Sequence, residues 1–165
     1  MDTVDKRTRS RIMSSVGQKN TKPEMLLRSA LHKRGFRYRV NDKSLAGSPD
    51  LVFPKYGTAI FVHGCFWHAH DCRNTKPASN KRYWNKKLDD NKARDERKVE
   101  QLLDAGWRVM IVWECAIVGK SDLDFVKVVS AVVKWLEKNK RYGEIDRNLK
   151  IHNETMQKTK NSHHR

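Results

Sequence analysis

The sequence lacks the features of secreted and membrane proteins. It has three cysteines in 165 residues, and an odd, small number of thiols does not make a disulfide framework. Its longest unbroken apolar run covers Val109 to Trp113, far short of the roughly 20 residues that cross a bilayer. The N-terminal MDTVDKRTRS has no apolar stretch of the kind found in signal peptides. We therefore expect a cytosolic protein that makes no use of a membrane.

Acidic residues are scarce relative to basic ones. The chain has 35 Lys and Arg against 19 Asp and Glu, a formal net charge of +16. This excess predicts a polyanionic partner, and nucleic acid is the usual one. A solvated surface and a basic membrane-surface helix are the alternatives. Hydrophobic residues make up 38%, including five Trp and five Phe, which is enough for a core and argues against a wholly disordered chain.

The length suits one domain with short extensions. We expect a basic N-terminal arm over residues 1–20, a folded domain over 21–140 and a flexible, polar and basic tail over 141–165. Apolar periodicity and helix-end signals predict helices over 23–34, 83–105 and 123–139, and strands over 36–40, 51–53, 58–62 and 107–113. The residues expected to face the core from the first and last helices are Met25, Leu26, Ala30, Leu31, Phe125, Val126, Val129, Val133 and Leu136. This order indicates a single-domain α/β fold, a small mixed β-sheet flanked by helices.

Residues 63–72, HGCFWHAHDC, combine three histidines with two cysteines. Sulfur and imidazole ligands at this spacing suit tetrahedral zinc, and Cys115, just after the strand 107–113, is the only cysteine left to complete the site. Zinc would also explain how a loop without a core of its own stays ordered. The alternative is that Cys115 is a small buried apolar residue and the rest is incidental. The predicted zinc ligands are Cys65, His70, Cys72 and Cys115.

Two histidines, His63 and His68, are left over by this set. A single histidine is more often structural than catalytic, but a pair beside a metal-ordered loop favours proton transfer. Asp50 precedes an apolar strand and can offer a hard oxygen ligand to magnesium, although Pro-Asp is also ordinary turn chemistry. Glu24, in the first turn of the first helix, can add a second carboxylate or can simply complement the helix dipole.

Phe66 and Trp67 are adjacent large rings inside this polar loop. They cannot easily turn inward together with the neighbouring histidines, so we expect at least one of them to face a partner, where a wedge between base steps is suitable. Trp84 is a third candidate, within a basic run that is either a phosphate track or a solvated helix face. Trp107 and Trp113 lie in a predicted buried strand and are assigned to the core.

Four segments carry a family resemblance: PDLVF, AIFVHGCFWHAHDC, KARDERK and GWRVMIVWEC. Through them the chain resembles the very short patch repair (Vsr) endonucleases over about residues 5–138, and the HGCFWH block with the late WEC is the most specific part. The resemblance implies a PD-(D/E)xK nuclease-like fold with a structural zinc site. It also implies a magnesium-dependent endonuclease that nicks duplex DNA 5′ of the thymine in T:G mismatches, which arise when 5-methylcytosine deaminates.

The resemblance also implies a role for each candidate. Asp50 would bind magnesium together with the backbone carbonyl of Val62, and His68 would be the general base, oriented by Asp95. The usual second acidic residue and lysine of the wider superfamily are absent after Asp50, and histidine replaces them. The residues that would complete the site through water or phosphate contacts are His63 and Glu24. The intercalating rings would be Phe66, Trp67 and Trp84, and the zinc ligands Cys65, His70, Cys72 and Cys115.

Three functions are compatible with the residues alone. They are a mismatch endonuclease, a restriction-type enzyme that nicks paired DNA, and a zinc-containing nucleic-acid-binding protein without catalysis. Asp50 with His63 and His68 favours an enzyme, because a binding module needs none of them. Phe66 and Trp67 favour repair. The resemblance further implies a monomer in the bacterial cytosol, associated with the nucleoid and functionally linked to a cytosine-5 DNA methyltransferase and a repair polymerase.

Overall fold

A computed structural model of the chain describes residues 5–7, 20–72, 77–149 and 151–152. Its helices are α1 (Lys22–Lys33), α2 (Lys81–Asp104) and α3 (Asp122–Glu137). Its strands are β1 (Arg39–Val40), β2 (Leu51–Phe53), β3 (Thr58–His63), β4 (Arg108–Trp113), β5 (Tyr142–Ile145) and β6 (Ile151–His152). Among the described residues, no helix combines the length and the apolar content needed to cross a membrane.

The strands form one mixed sheet in chain order, from β1 at one edge to β6 at the other. Strands β1, β2 and β3 pair antiparallel, β3, β4 and β5 pair parallel, and β6 returns antiparallel to β5. The register aligns Val62 with Val112 and His63 with Trp113, so β3 and β4 end side by side. The prediction of an α/β fold built on a small mixed sheet is therefore confirmed.

Helices cover both faces of this sheet. Because side chains alternate along a strand, β4 sends Met110 and Val112 into a core with α1 and α3. It sends Ile111 and Trp113 into a second core with α2. A strand buried on both faces reads as a continuous apolar run, which is why β4 was predictable from the sequence. Of the two tryptophans assigned to the core, Trp113 is buried, whereas Trp107 precedes the strand and is only partly buried.

Two predicted helix faces are partly wrong. Met25 and Leu26 are 46% and 39% exposed, and Leu27 takes the buried position on α1. On α3, Val126 is 49% exposed, while Trp135 is buried without having been predicted. Runs of consecutive apolar residues allow more than one helical phase, and packing against the sheet selects one of them. The buried leucines of α1 are one turn apart, at Leu27 and Leu31.

The sheet extends beyond the predicted domain boundary at residue 140. Tyr142 and Ile145 are buried on β5, so residues 142–145 belong to the sheet and not to a flexible tail. Gly143 is required there, because a Cβ atom would come within 2.6 Å of the indole nitrogen of Trp135. Four residues with one glycine are too weak a strand signal to be recognised without the long-range pairing to β4. Nearly all of the predicted arm, and the tail after residue 152, lie outside the described residues.

Arg108, the first residue of β4, holds the end of α3. Its guanidinium donates to the carbonyl oxygens of Trp135 (2.8 Å), Leu136 (3.0 Å) and Lys140 (2.8 Å), and also to that of Lys138. It lies 4.6 Å from the centre of the Trp135 ring. The last carbonyls of a helix have no partner within the helix, so this one side chain caps α3 and ties it to the sheet.

We predict that Arg108→Met lowers the free energy of unfolding by about 2–4 kcal/mol, because several carbonyl groups lose their donor at once. Arg108→Lys should recover only part of this, since an ammonium group cannot reproduce the planar fork of donors. Urea denaturation followed by circular dichroism measures the difference. The control is Arg97→Met on the exposed face of α2, expected to change stability by less than about 0.5 kcal/mol. Equal losses in the two variants would contradict the capping role.

Candidate active site and metal cluster

The candidate catalytic residues meet at the end of the sheet where β2 begins and β3 ends. Asp50 immediately precedes β2, and one of its carboxylate oxygens accepts a hydrogen bond of 2.7 Å from the backbone N–H of Val62. The N–H and C=O of a residue in an extended strand point to the same side. The Val62 carbonyl therefore leaves β3 on the side of the Asp50 carboxylate, which puts two oxygen ligands near each other.

A second carboxylate, that of the buried Glu24, lies close to the partly buried Asp50. Glu24 is 1% exposed, and it is ion-paired with Arg28 one turn later on α1. The pKa of Asp50 is raised to about 7, chiefly by burial and further by the negative charge of Glu24. The Val62 N–H and the charges of Arg28 and His68 oppose this increase. One buried and one partly buried carboxylate with one guanidinium leave an excess of negative charge, so the donors present fit a hard divalent cation.

His68 is oriented by Asp95 of α2. The distance between His68 Nδ1 and Asp95 Oδ2 is 2.5 Å. Burial alone would raise the pKa of Asp95, but the hydrogen bond from His68 and nearby positive charge lower it overall. Since an ionised carboxylate can only accept, His68 Nδ1 is the donor. The other ring nitrogen, Nε2, consequently carries the lone pair and can take up a proton.

His63 lies flat against His68. The two ring centres are 3.8 Å apart with an angle of 2° between the planes. Burial, and secondarily the charge of His68, lower the pKa of His63 to about 3, so His63 is neutral at neutral pH. Ligand atoms of His63, His68 and Asp95 lie within 4.8 Å of one another. However, the in-plane lone pairs of stacked rings run side by side and do not converge, so this trio is arranged for proton transfer and not for metal binding.

The four predicted metal ligands come together in a separate cluster, with all their ligand atoms within 4.8 Å of one another. Cys115 Sγ is 3.7 Å from His70 Nδ1, and ligands of a tetrahedral zinc ion are about 3.5–3.8 Å apart for the usual bond lengths. A hydrogen bond from the Cys65 thiol lowers the pKa of Cys115 to about 6, while that of Cys65 is raised. One thiolate therefore forms readily. The cluster, hereafter the metal cluster, consists of Cys65, His70, Cys72 and Cys115.

A short turn lies between the His68–Asp95 pair and the metal cluster. The N–H of His68 donates to the carbonyl of Gly64 (3.2 Å), and the N–H of His70 donates to that of Cys65 (2.9 Å). Glu114 anchors the start of the turn by accepting a hydrogen bond from the Cys65 N–H (3.3 Å). The turn directs His68 towards Asp95 of α2 and His70 towards the three cysteines of the metal cluster.

The three predicted DNA-facing rings pack on one another. The ring centres of Phe66, Trp67 and Trp84 are 5.3–5.9 Å apart, with edge-to-face geometry. All three are partly exposed, and none belongs to either core of the sheet. Asn91 of α2 donates to the Trp67 carbonyl (3.1 Å), and Lys87 lies 5.5 Å over the Trp84 ring. We call these three rings the aromatic cluster, and two of them, Phe66 and Trp67, immediately precede His68 in the chain.

Sequence reasoning missed two residues of this region. Arg28 was detectable, because an arginine four residues after Glu24 on a helix predicts an ion pair. Asn91 gave no such signal, since its contact with Trp67 joins segments that are distant in sequence. The residues predicted from the sequence otherwise lie together: Glu24, Asp50, Val62, His63, His68 and Asp95 form the candidate catalytic site.

Comparison with known proteins identifies relatives along most of the chain. The family described as DNA mismatch endonuclease Vsr matches residues 1–74. DNA mismatch endonuclease Vsr of Escherichia coli is 41% identical over 136 residues, which cover 82% of this chain and 87% of that protein. Type II nicking enzyme V.XorIIP of Xanthomonas oryzae pv. oryzae is 46% identical, covering 70% and 86%. Type II nicking enzyme V.NmeAIP of Neisseria meningitidis is 44% identical, covering 68% and 81%.

We predict that the purified chain holds one transition-metal ion and that Cys115→Ser loses it. A cluster reduced to three good ligands binds the ion more weakly, and the loop it orders should become less stable. Elemental analysis and thermal melting measure the two effects. His32→Ala, an exposed histidine of α1 outside the cluster, is the control and should retain the metal. A metal-free wild type, or a Cys115→Ser variant with full metal content, would contradict the prediction.

Proposed function

The chain belongs to the Vsr family of DNA mismatch endonucleases, and from this premise we propose that it nicks duplex DNA 5′ of the thymine in T:G mismatches. The observation that carries the proposal is the His68–Asp95 pair at the same strand ends as the Asp50 carboxylate. An acceptor for a proton next to a carboxylate site for a cation is what hydrolysis of a phosphodiester requires. Mismatches of this kind arise when 5-methylcytosine deaminates to thymine.

We assign a magnesium ion to the carboxylate side of the site. Asp50 and the Val62 carbonyl would hold it directly, and Glu24 would act through water. When bound, the ion supplies positive charge that stabilises the phosphoryl oxygens and acidifies water. Arg28 holds Glu24 in place through their buried ion pair, because each of the two buried charges compensates the other. Asp50, immediately before β2, and the neighbouring Val62 carbonyl support a PD-(D/E)xK-like arrangement.

His68 is the proposed general base. Its Nε2 accepts a proton from the attacking water, and Asp95 stabilises the resulting imidazolium through Nδ1–H. His63 remains neutral, and its ring packs parallel against one face of the His68 ring. This contact limits the directions in which the His68 ring can tilt. The buried position of His63 makes it a support first, and any phosphate contact would come from its exposed edge only.

We propose zinc as the occupant of the metal cluster. Three sulfur ligands and one imidazole suit zinc, whereas magnesium prefers oxygen. A closed set of four protein ligands leaves no position for water, which is typical of structural sites. Zinc there would order the turn that carries His68 and two rings of the aromatic cluster, Phe66 and Trp67, because those residues have no core of their own.

The aromatic cluster is proposed to recognise the mismatch. A T:G wobble pair stacks less well than its neighbours, so opening the duplex beside it costs less, and inserted rings regain stacking. The proposal accounts for three large rings that pack outside both cores of the sheet. Basic residues near the start of α2, such as Arg82 and Lys86, are proposed to bind the DNA backbone whatever its sequence.

The reaction also fits a place in a repair sequence. A nick leaves the wrong base in the strand, so a polymerase of the repair class must replace it, and a cytosine-5 DNA methyltransferase creates the sites at which the damage arises. One catalytic site cuts one strand, and we therefore propose a monomer that acts on DNA in the bacterial cytosol and nucleoid.

We predict that Asp50→Asn and His68→Ala each abolish or strongly reduce nicking of a T:G duplex. An amide replaces a carboxylate poorly as a cation ligand, and loss of a general base costs about 10²- to 10⁴-fold. Gel assays with a labelled duplex, with magnesium and with a chelator, give the rates. His32→Ala is the control for a histidine outside the site. The ion content of the metal cluster and the melting temperature should be unchanged in all three variants. Wild-type rates in both site variants would reject the nuclease proposal.

We predict that Phe66→Ala combined with Trp67→Ala equalises binding to T:G and T:A duplexes, while salt-dependent binding to plain duplex persists. Each stacked ring is worth about 1–3 kcal/mol, and this contribution favours the mismatched site. Arg82→Gln with Lys86→Gln is the matched comparison. This double variant should weaken binding to both duplexes by the same factor and reduce the salt dependence of that binding, because phosphate contacts are independent of the base pair. Competition binding at several salt concentrations tests both double variants. If the Phe66→Ala, Trp67→Ala variant still prefers T:G over T:A as strongly as the wild type does, the rings do not recognise the mismatch.

The second candidate function is nicking of fully paired DNA. It is favoured by one observation, the relatives whose names describe them as type II nicking enzymes. The same catalytic residues would serve both functions, so the two differ only in substrate. Comparable nicking rates on otherwise identical T:G and T:A duplexes would favour the second candidate, and a strong preference for T:G would favour the first.

A further inference from the structure

We propose that Trp113 is a positioning residue that fixes the His68–Asp95 pair through His63 and links it to the metal cluster. The inference rests on the proposed role of His68 as the general base. Trp113 is the last residue of β4 and lies opposite His63 in the sheet register. Nothing in its sequence position distinguishes it from other apolar residues of a buried strand.

The rings around Trp113 form a continuous stack. His70 of the metal cluster lies parallel to the indole, with centres 4.1 Å apart and 8° between the planes. The indole also meets the ring of His63 edge-to-face, with centres 5.4 Å apart. His63 in turn lies flat against His68 at 3.8 Å, and His68 is bonded to Asp95. The chain of contacts therefore runs from His70, a proposed metal ligand, to Asp95, the carboxylate that orients His68.

The turn fixes the backbone of His68 but not the tilt of its ring. The His68 N–H donates to the Gly64 carbonyl (3.2 Å), and the His68 side chain is partly exposed. In contrast, Trp113 is 4% exposed and His63 is 6% exposed, so the rings beneath His68 are fixed by the core. Close-packed rings have few alternative positions, and a rigid support sets the direction of the His68–Asp95 hydrogen bond.

Trp113→Leu removes the indole face and leaves His63 free to tilt. We expect single-turnover nicking of a T:G duplex at saturating protein to slow by about 10- to 100-fold, because a small misplacement of a catalytic group is costly. The dissociation constant for the same duplex should not change. In proton NMR of the metal-loaded protein, the downfield resonance of the His68 Nδ1–H should shift or broaden. Trp113→Phe, which keeps one ring, should be intermediate in both measurements.

The matched control is Trp107→Leu. Trp107 packs against the same core and lies at the opposite end of β4, away from the histidines. This variant should keep the wild-type rate and the wild-type resonance. Equal slowing in the two leucine variants, or a Trp113→Leu protein with full metal content and unchanged rate and resonance, would overturn the proposal.

A variant that fails to fold does not leave the proposal open. If Trp113→Leu loses its metal or melts early, Trp113→Phe decides alone, and a wild-type rate and resonance in that variant would overturn the positioning role. His68→Ala separates this inference from the proposed function. Nicking that survives His68→Ala rejects the general base itself, whereas nicking lost there but unchanged in the Trp113 variants rejects only the ring stack.

Discussion

Parallel pairing of β3 with β4 is the constraint on which the site depends. The register brings His63 opposite Trp113, so the carboxyl ends of two strands distant in sequence lie at one point. From there the chain after β3 supplies Cys65, and the chain after β4 supplies Cys115 two residues past the strand end. A shift of one residue would turn His63 to the other face of the sheet and would separate both the ring stack and the metal ligands.

Charge is divided between the surface and the site. The chain carries a net charge of +16, which attracts the DNA backbone without regard to sequence. The end of the sheet that holds the candidate catalytic site instead contains two carboxylates, the buried Glu24, ion-paired with Arg28, and the partly buried Asp50. A basic surface can hold a phosphodiester against a site that is itself negative, provided that a cation lies between them. The need for a divalent ion therefore follows from the chain's own electrostatics.

The sequence predicted those parts of the molecule whose signals are local. The buried strand β4 appears as a continuous apolar run, and Cys65, His70 and Cys72 lie within eight residues, so the metal cluster could be predicted from spacing and the one remaining cysteine. Features that depend on tertiary pairing could not be predicted. β5 has a weak strand pattern and is stabilised by its pairing with β4. The stacking of His63 on His68 also depends on the turn, which no periodicity reveals.

In the proposed function, the segment from His63 to Cys72 would serve catalysis, metal binding and DNA contact with few residues, and this would explain why it needs a metal. A turn that leaves Phe66, Trp67 and His68 partly exposed gains little stability from burying them. Coordination by His70 and its cysteine partners can replace that stability, because binding energy at a structural metal is folding energy. Stacking of His70 on Trp113 then passes the rigidity of the cluster to the sheet. The proposed ion in the metal cluster would thus hold partly exposed functional groups in place and would take no part in the reaction.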